Sequence, residues 1–412
     1  MPSIKEDVAG VVTELRATYA TGATRDRAWR MSQLLAFQKM LKECRGSLCE
    51  AMATDLHKST FEGYITEVNV IEHEVQGAID HLDDWMAPQS VANNLLNLPG
   101  KSYVYRDPLG VVLIIGAWNY PVQLSLAPLV GAIAAGCCAV VKLPSDKYSS
   151  ASSRAIAQCV KGYLDQAAVR VVEGDREATQ AVLAQRWDKI FFTGGSYVGK
   201  MVAEAAAKHL TPTCLELGGK SPCIVDRSAD LDIAAKRICW GAFMNAGQTC
   251  VRPDYLLVHA DVADAFLAKY KAAITSMYSE EPDKSEWFGR AVNGRACERL
   301  AAVLATDKRY IVHGGASDVA SCFVAPTVLD FGADAGAFER SASMESEIFG
   351  PISPLLRYTD TSAVIERINA GEKPLGLYVF TTDSAVRDRF LRDTSSGAAD
   401  VNDVIMHMTN DE

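Results

Sequence analysis

The sequence has no surplus of positive charge and no block of Lys and Arg residues. It carries 41 Lys and Arg against 51 Asp and Glu, which gives a net charge of −10. Nucleic acid is a polyanion and is bound through clustered basic side chains. The composition therefore argues against a nucleic-acid partner. Apolar residues make up 49% and charged residues 22%, as in folded globular proteins.

Metal-binding and disulfide patterns are also missing. The eleven cysteines form no C-x-x-C motif and the seven histidines are scattered, so zinc spacing is absent and we predict no metal site. An odd number of irregularly spaced cysteines favours reduced, buried thiols over a disulfide framework. The first residues contain no apolar leader, which argues against secretion. We expect a cytoplasmic protein.

One long uncharged run, from Gly110 to Val141, allows two interpretations. A membrane span needs about 20 predominantly apolar residues, and the run is longer than that. Polar residues and prolines interrupt it, however, at Trp118-Asn119-Tyr120-Pro121 and at Pro128. A buried strand, a loop, a buried helix and a second strand fit this pattern better. We therefore expect no membrane anchor in this chain.

The remaining pattern predicts more than one domain, since 412 residues exceed one ordinary core. Residues 1–86 show helical spacing, residues 88–99 resemble a linker, and residues 103–106 alternate like a short strand. After residue 110 strands alternate with helices, which predicts an α/β fold with a doubly wound parallel sheet. The expected strands are 111–115, 139–141, 168–172 and 189–193, and the expected helices are about 126–135, 149–163, 177–185 and 202–209. A second alternating region extends from about 213 to 380.

Three features fall at predicted strand ends, where such sheets bind ligands. Thr193-Gly194-Gly195-Ser196-Tyr197-Val198-Gly199 leads from a strand into a helix, and it is either a phosphate-binding turn or a structural turn. Lys142, followed by Asp146, suits ribose hydroxyls or is an exposed strand end. Asn119 either donates to an oxyanion or serves only in a turn.

Cys250 and Glu216 are the candidates for covalent chemistry. Cys250 closes Asn245-Ala246-Gly247-Gln248-Thr249-Cys250, and Glu216 lies upstream in Leu215-Glu216-Leu217-Gly218-Gly219-Lys220. A thiol nucleophile with a carboxylate base suggests catalysis through sulfur. A buried structural cysteine is the alternative for Cys250 alone. A Cys-His pair also stays open, with His209 and His259 as the nearest histidines in sequence.

Together with Glu347-Ile348-Phe349-Gly350-Pro351, these motifs occur in the order and spacing of the aldehyde dehydrogenase superfamily, which the chain resembles from about Gly22 to its last residue. Further details resemble the class 3 branch, whose members favour fatty and aromatic aldehydes. These details are Asp55-Leu56-His57-Lys58, residues 82–86, 118–121 and 210–213, and Val401-Asn402-Asp403.

The resemblance implies a reaction and assigns residues to it. An aldehyde is oxidised to the free acid with reduction of NAD or NADP. Cys250 would be the nucleophile, Glu216 would activate water, and Asn119 with the Cys250 N–H would hold the oxyanion. Residues that would hold the cofactor are Trp118, Lys142, Asp146, Thr193, Gly194, Ser196, Gly199, Leu217, Gly218, Glu347 and Phe349. Lys142-Leu143-Pro144-Ser145-Asp146 departs from the family's Lys-Pro-Ser-Glu, so the choice between NAD and NADP stays open.

The resemblance also implies three parts. Residues 1–86 and 108–210 would form a Rossmann-like cofactor domain, 211–392 an α/β catalytic domain, and 87–107 with 393–412 a small bridging element of a homodimer. The family continues beyond the Asn402-Asp403 motif into a Leu-Pro-Phe-Gly-Gly loop, so we expect the bridging element to be incomplete here. Two alternatives to the acid-forming enzyme are a truncated, non-catalytic binding protein and a dehydrogenase that transfers the acyl group to coenzyme A.

Overall fold

The computed structural model describes residues 4–409, apart from the side chains of residues 4–6 and Asp146. The chain divides into two units. The first contains the residues up to Asp55 and Gly63–Glu216, and the second contains Leu56–Glu62 and the stretch that begins at Leu217.

The first unit is built on a parallel five-stranded sheet. Its strand order is β5-β4-β3-β6-β7, and all neighbours are parallel. The central strands are buried on both faces, which is why they read as continuous apolar runs such as Val-Val-Leu-Ile-Ile. The strands up to residue 216 are β1 (Gln89–Val91), β2 (Ser102–Val104), β3 (Val111–Ile115), β4 (Cys138–Lys142), β5 (Val169–Val172), β6 (Lys189–Thr193) and β7 (Thr213–Glu216).

Helices flank this sheet. An apolar core of the first unit contains side chains from the helices Arg27–Leu56 and Asn69–Met86, the two helices that follow β3 and β4, and the sheet. The helices that begin before residue 216 are α1 (Ile4–Ala20), α2 (Arg27–Leu56), α3 (Thr60–Gly63), α4 (Asn69–Met86), α5 (Gln123–Ala134), α6 (Asp146–Tyr163), α7 (Arg176–Leu183) and α8 (Ser196–Ala207). A π-helical turn, Tyr64–Val68, joins α3 to α4.

The second unit holds a seven-stranded mixed sheet of order β10-β13-β14-β9-β8-β15-β16, in which only β10 is antiparallel. Its strands are β8 (Pro222–Val225), β9 (Tyr255–His259), β10 (Ile311–His313), β13 (Thr327–Asp330), β14 (Ile352–Tyr358), β15 (Gly376–Phe380) and β16 (Ala398–Val401), and β11 (Ser317–Asp318) pairs separately with β12 (Phe323–Val324). Its helices are α9 (Leu231–Phe243), α10 (Ala263–Tyr278), α11 (Gly294–Thr306), α12 (Ala335–Glu339), α13 (Thr361–Ala370) and α14 (Ser384–Asp393).

Two element predictions need correction. Residues 88–99 are not only a linker, because β1 within them pairs antiparallel with β2; low charge and many Asn and Ser residues hid this pairing. Helix α8 begins at Ser196 rather than at 202. Its first turn exposes Tyr197 and Val198, and its first buried position, Gly199, has no side chain, so the pattern of buried apolar side chains starts only at Val202.

The uncharged run after Gly110 folds as β3, a loop, α5 and β4, which agrees with the strand–helix–strand interpretation. Within residues 4–409, no helix combines the length and the apolar character that a membrane crossing requires.

Candidate functional site

The predicted residues of the first unit converge at the carboxyl edge of its sheet. From β3 the strand order steps outward through β4 to β5, and the chain then returns to place β6 and β7 on the other side. Such a switch point, here between β3 and β6, is where doubly wound sheets bind ligands. Asn119 follows β3, Thr193 ends β6 and Glu216 ends β7.

Asn119 lies in a fixed loop between β3 and α5. Its side chain is buried, and the indole of Trp118 stacks on Tyr148 with ring centroids 5.8 Å apart. The fully buried carboxylate of Glu67 accepts hydrogen bonds from the N–H groups of Val122, at 2.8 Å, and Gln123, at 3.2 Å. A carboxylate at a helix N-terminus is favoured by the dipole and by charge-assisted hydrogen bonds. Glu67 therefore anchors the end of the loop that carries Asn119.

Glu216 lines a cleft of about 260 Å³. The backbone at its base is fixed, because the Gly194 N–H donates to the Glu216 carbonyl at 3.0 Å. Thr193 also lines the cleft, and its buried Oγ1 has no hydrogen-bond partner among the described residues. The cleft thus combines a carboxylate, an unsatisfied hydroxyl and an apolar wall. It is lined by Glu74, Gln123, Leu124, Ala127, Pro128, Phe191, Thr193 and Glu216.

The glycine-containing turn after β6 leads directly into α8. Gly195 is the extended N-cap residue, Ser196 starts the helix and Gly199 is buried in it. The first turn therefore presents N–H groups and the positive end of a dipole, as a phosphate site requires. A structural turn would have the same backbone, so the phosphate role stays a prediction.

Lys142 is buried rather than an exposed strand end, so that alternative is wrong. Its Nζ donates to the carbonyls of Leu143, at 2.5 Å, and Gly174, at 2.7 Å. The ammonium is thereby held between the segments that follow β4 and β5. The side chain of Asp146, its predicted companion, lies outside the described residues.

The motifs of the second unit precede three adjacent parallel strands. Gly218 comes before β8, Cys250 before β9 and Glu347 before β14, and β9 lies between the other two strands in the sheet. Since parallel neighbours start at the same edge, all three segments meet at the amino edge of this sheet.

Cys250 follows a left-handed backbone turn. Asn245, Ala246 and Gly247 have φ values of 53°, 50° and 71°. Two non-glycine residues in this region cost of order 1–3 kcal/mol each and persist only when their surroundings enforce them. A β-carbon on Gly247 would clash with the carbonyl of Gly350, so the cysteine segment packs closely on the Glu347 segment.

Gln248 holds this turn in place. Its Nε2 donates to the carbonyls of Asn245, at 3.0 Å, and Arg290, at 2.9 Å, and its Oε1 accepts from the Val292 N–H at 2.8 Å. Residues 245–249 are buried, whereas Cys250 is partly exposed. Cys250 therefore differs from a buried core cysteine, because it stands partly exposed at the end of a strained turn.

Glu347 has an unusual environment. Burial, with the negative charge of Asp254 as a second cause, raises its pKa to about 8. The Gly219 N–H donates to the carboxylate, and a β-carbon on Gly218 would clash with its oxygens. Gly218 is thus explained by the close approach of a carboxylate. The buried Oε1 has no hydrogen-bond partner among the described residues, which fits a hydroxyl-bearing ligand such as the ribose of NAD.

The neighbouring Phe349 has a positive φ of 47°, so the segment after Glu347 is also strained. The sequence pattern missed two charged residues at this edge. Lys220 and Asp254 form an ion pair of 2.5 Å between the Glu216 and Cys250 motifs. Their positions, four residues after each motif's key residue, were the only available clue.

The structure does not place the predicted candidate His259 beside Cys250. His259 ends β9, whereas Cys250 precedes the start of that strand, so they lie toward opposite ends of it. His407 pairs with Asp400 at 2.9 Å and stacks on Tyr378. The Tyr378 hydroxyl donates to the carbonyl of Val251, which fixes the backbone just after the cysteine. Within residues 4–409, no cluster of three or more His, Cys, Asp or Glu side chains could hold a metal ion.

Comparison with known proteins identifies the kind of chain that carries this site. A family model described as the aldehyde dehydrogenase family matches residues 3–411. The chain is 43% identical over 398 residues to aldehyde dehydrogenase family 3 member A2 of Rattus norvegicus, covering 97% of this chain and 80% of that protein. It is 40% identical over 402 residues to the dimeric NADP-preferring aldehyde dehydrogenase of the same organism, covering 98% and 87%.

Solved structures of similar proteins have the same fold. The substrate-bound state of AldH from Staphylococcus aureus has a TM-score of 0.95 and 37% identity, covering 100% of this chain and 87% of that chain. An NADP dependent enzyme from E. coli has a TM-score of 0.86 and 25% identity, covering 97% and 82%.

Proposed function

The chain belongs to the aldehyde dehydrogenase family, and from this premise we propose how its residues share the reaction. The family, the class 3 likeness and the NAD(P)-dependent oxidation of an aldehyde to the acid, predicted from the motifs, are confirmed, as is the α/β fold predicted from the alternation of strands and helices. The roles of individual residues, the substrate range and the assembly are proposals.

Cys250 is the nucleophile. Its thiolate attacks the aldehyde carbon and forms a C–S bond, while the carbonyl oxygen becomes an oxyanion. The observation that carries this assignment is the partly exposed thiol at the end of a buried, strained turn. The amide of Asn119 and the N–H of Cys250 donate to the oxyanion, and fixed donors of this kind are among the largest contributions to catalysis. Glu67 keeps the Asn119 loop in place.

Glu216 is the base for hydrolysis. NAD or NADP, when bound, supplies the acceptor for the hydride that the Cys250 adduct loses as it becomes a thioester. Glu216 then takes a proton from water, the resulting hydroxide attacks the thioester carbon, and the C–S bond breaks to release the acid and the thiolate. Its position in a cleft with one apolar wall supports this role, since such a cleft admits both water and an acyl chain.

Residues at both sheet edges suit the cofactor. Lys142 would hold ribose hydroxyls, the turn from Thr193 to Gly199 would receive the pyrophosphate, and Glu347 would accept from the nicotinamide ribose. The unsatisfied atoms Thr193 Oγ1 and Glu347 Oε1 support this assignment, because buried polar atoms are normally hydrogen-bonded. Trp118, Asp146, Leu217, Gly218 and Phe349 complete the proposed site.

Exchange of Cys250 tests the nucleophile. Cys250→Ala should abolish NADH or NADPH formation with an aldehyde, followed by absorbance at 340 nm. Cys44→Ala is the matched control, since Cys44 is another partly exposed cysteine outside any disulfide and lies on α2. Substantial turnover by Cys250→Ala would remove Cys250 from the mechanism. Release of free acid without coenzyme A distinguishes the hydrolytic enzyme from an acyl-transferring one, and failure to bind NAD would favour a non-catalytic protein.

We also propose medium- or long-chain aliphatic or aromatic aldehydes as substrates and the cytoplasm as the location. The apolar residues of the Glu216 cleft favour such substrates over small polar ones. None of the eleven cysteines forms a disulfide, which suits a reducing compartment. Comparison of kcat/KM for hexanal, benzaldehyde and glycolaldehyde tests the preference, and the highest value for glycolaldehyde would contradict it.

A homodimer is proposed through the bridging element formed by 87–107 and 393–412. The β1–β2 arm exposes Leu95, Leu96, Leu98 and Tyr105, each more than half exposed. Clustered exposed apolar side chains mark protein interfaces. Leu95→Glu with Leu96→Glu should shift sedimentation from dimer to monomer at micromolar concentration. An unchanged dimer would place the interface elsewhere.

A further inference from the structure

An ion pair between a partly exposed lysine and a buried aspartate lies at the amino edge of the second sheet. Lys220 Nζ is 2.5 Å from Oδ2 of Asp254, whose side chain is 1% exposed. Burying a charge costs several kcal/mol in desolvation, so such a pair is weak evidence for stability by itself. The hydrogen bonds around the pair indicate another role.

The pair holds the peptide groups on both sides of Glu347. Lys220 Nζ donates to the carbonyl of Ser346, the preceding residue, at 3.0 Å. The N–H of Ile348, the following residue, donates to Oδ1 of Asp254 at 2.9 Å. A third hydrogen bond from Lys220, at 2.9 Å, reaches the carbonyl of Ser343. One cation and one anion therefore fix the backbone before and after Glu347.

The pair also connects this segment to the other two motifs at the same edge. Lys220 lies four residues after Glu216, and the Asp254 N–H donates to the Ser221 carbonyl at 2.8 Å. Asp254 lies four residues after Cys250. The pair thus ties the segments that precede β8, β9 and β14 to one another.

Four charged groups face Glu347. Asp254 disfavours its ionised form, whereas Arg252 and Lys220 favour it, and Arg299 interacts with it as a further cation. Arg299 also donates to the Ile348 carbonyl at 2.6 Å. Removal of the Asp254 charge would leave three cations, which would lower the pKa of Glu347.

We propose that Lys220 and Asp254 are positioning residues for Glu347. They place its carboxylate for the cofactor by hydrogen bonding to the peptide groups before and after it. This inference rests on the proposed role of Glu347 in holding the nicotinamide ribose. Asp254 acts through Glu347 and touches no reacting atom. It therefore controls both the location of the carboxylate and the pH at which that carboxylate becomes charged.

The test measures NAD affinity of the full chain by quenching of tryptophan fluorescence over a range of pH. Asp254→Asn preserves shape and an oxygen acceptor but places an NH₂ donor against Lys220. At pH 9, where Glu347 is ionised in both proteins, Kd should rise about tenfold or more, since small misplacements are costly. The pH midpoint of binding, near 8 in the parent protein, should move lower.

Asp330→Asn is the matched control. Asp330 pairs with Arg357 at 2.6 Å, and it ends β13, at the opposite edge of the same sheet. This control should leave Kd and the midpoint unchanged. A purely structural role for Asp254 would lower the melting temperature while both binding readouts stay at parent values, and that result would overturn the proposal.

A double variant covers the case in which Asp254→Asn does not fold. Asp254→Asn with Lys220→Met removes both charges of the pair, so Lys220 is not left without its anion. Arg252, whose Nη1 lies 3.5 Å from Oδ1 of Asp254, keeps its hydrogen bonds to the carbonyls of Ala242 and Ile352. The Kd of this double variant at pH 9 should also rise about tenfold, and parent-like binding would overturn the proposal.

A Glu347→Gln variant distinguishes failure of the proposed role of Glu347 from failure of the inference about Lys220 and Asp254. If it binds NAD like the parent, the proposed role of Glu347 fails and the inference with it. If only Glu347→Gln weakens binding, the inference alone fails.

Discussion

Replacement of Glu347 by glutamine should stabilise the cofactor-free protein increasingly as the pH rises. Burial raises the pKa of this carboxyl from 4.5 to about 8. Between these values the native state keeps a proton that the unfolded state has released. Stability therefore falls with rising pH over this window, by about 1.4 kcal/mol per pH unit for one group. The contribution is fully present below pH 4.5 and is lost as the pH approaches 8.

From pH 5 to pH 7.5 the full effect would be about 3 kcal/mol. Glu347 keeps some solvent exposure, so we expect about 2 kcal/mol. Glutamine has no proton to release and keeps an oxygen that accepts from the Gly219 N–H. The difference in unfolding free energy between Glu347→Gln and the parent should therefore grow by this amount across the range.

The assay is urea unfolding of cofactor-free protein at pH 5.0, 6.0, 7.0 and 7.5, followed by circular dichroism. Glu345→Gln is the control, because Glu345 is an exposed glutamate two residues away; its difference from the parent should stay constant. If the Glu347→Gln and parent stabilities run parallel with pH, the buried carboxyl has an ordinary pKa in solution and this account of its environment is refuted.

Two further changes test the segments that carry the other candidates. Gly247→Ala should destabilise the protein by about 1–3 kcal/mol and reduce activity, because Gly247 has a positive φ and a β-carbon there would clash with Gly350. The control is Gly46→Ala, in open space on α2, which should change stability by under about 1 kcal/mol. Equal effects of the two variants on the melting temperature would contradict this geometry. Glu67→Gln weakens two charge-assisted hydrogen bonds at α5 and should lower the free energy of unfolding by about 1–3 kcal/mol. The kcat should also fall, because the loop that carries Asn119 is held less firmly. An unchanged melting temperature and kcat would refute the anchoring role of Glu67.

Much of the fold followed from local pattern. Strands β3 and β6 have the predicted bounds because each is a short apolar run that ends at polar or glycine residues. The arm formed by β1 and β2 was harder to predict from the sequence, since its strands are exposed and only three residues long. These strands are held by backbone pairing with each other rather than by an apolar face. Likewise, the first turn of α8 has no buried apolar side chain, because Tyr197 and Val198 are exposed and the buried position is Gly199.

The residues of the site also divide into those that the sequence predicted and those that it did not. Cys250, Glu216 and Glu347 were found because their flanking glycines and neighbours form recognisable motifs. The ion pair of Lys220 with Asp254 was missed, since the two residues are distant in sequence and meet only because β8 and β9 are neighbours in the sheet. A single sequence does not specify strand order, and so it does not reveal which charges will be buried together.

The central claim is that Cys250 carries the acyl group and Glu216 releases it. Glu216→Gln protein, mixed with excess hexanal and NAD and quenched in acid within seconds, should show by intact mass spectrometry one added hexanoyl group, which peptide mapping places on Cys250. The parent protein should show little of this adduct because it hydrolyses the thioester. Absence of the adduct in Glu216→Gln while NADH forms at the parent rate, or its location on another cysteine, would contradict the account.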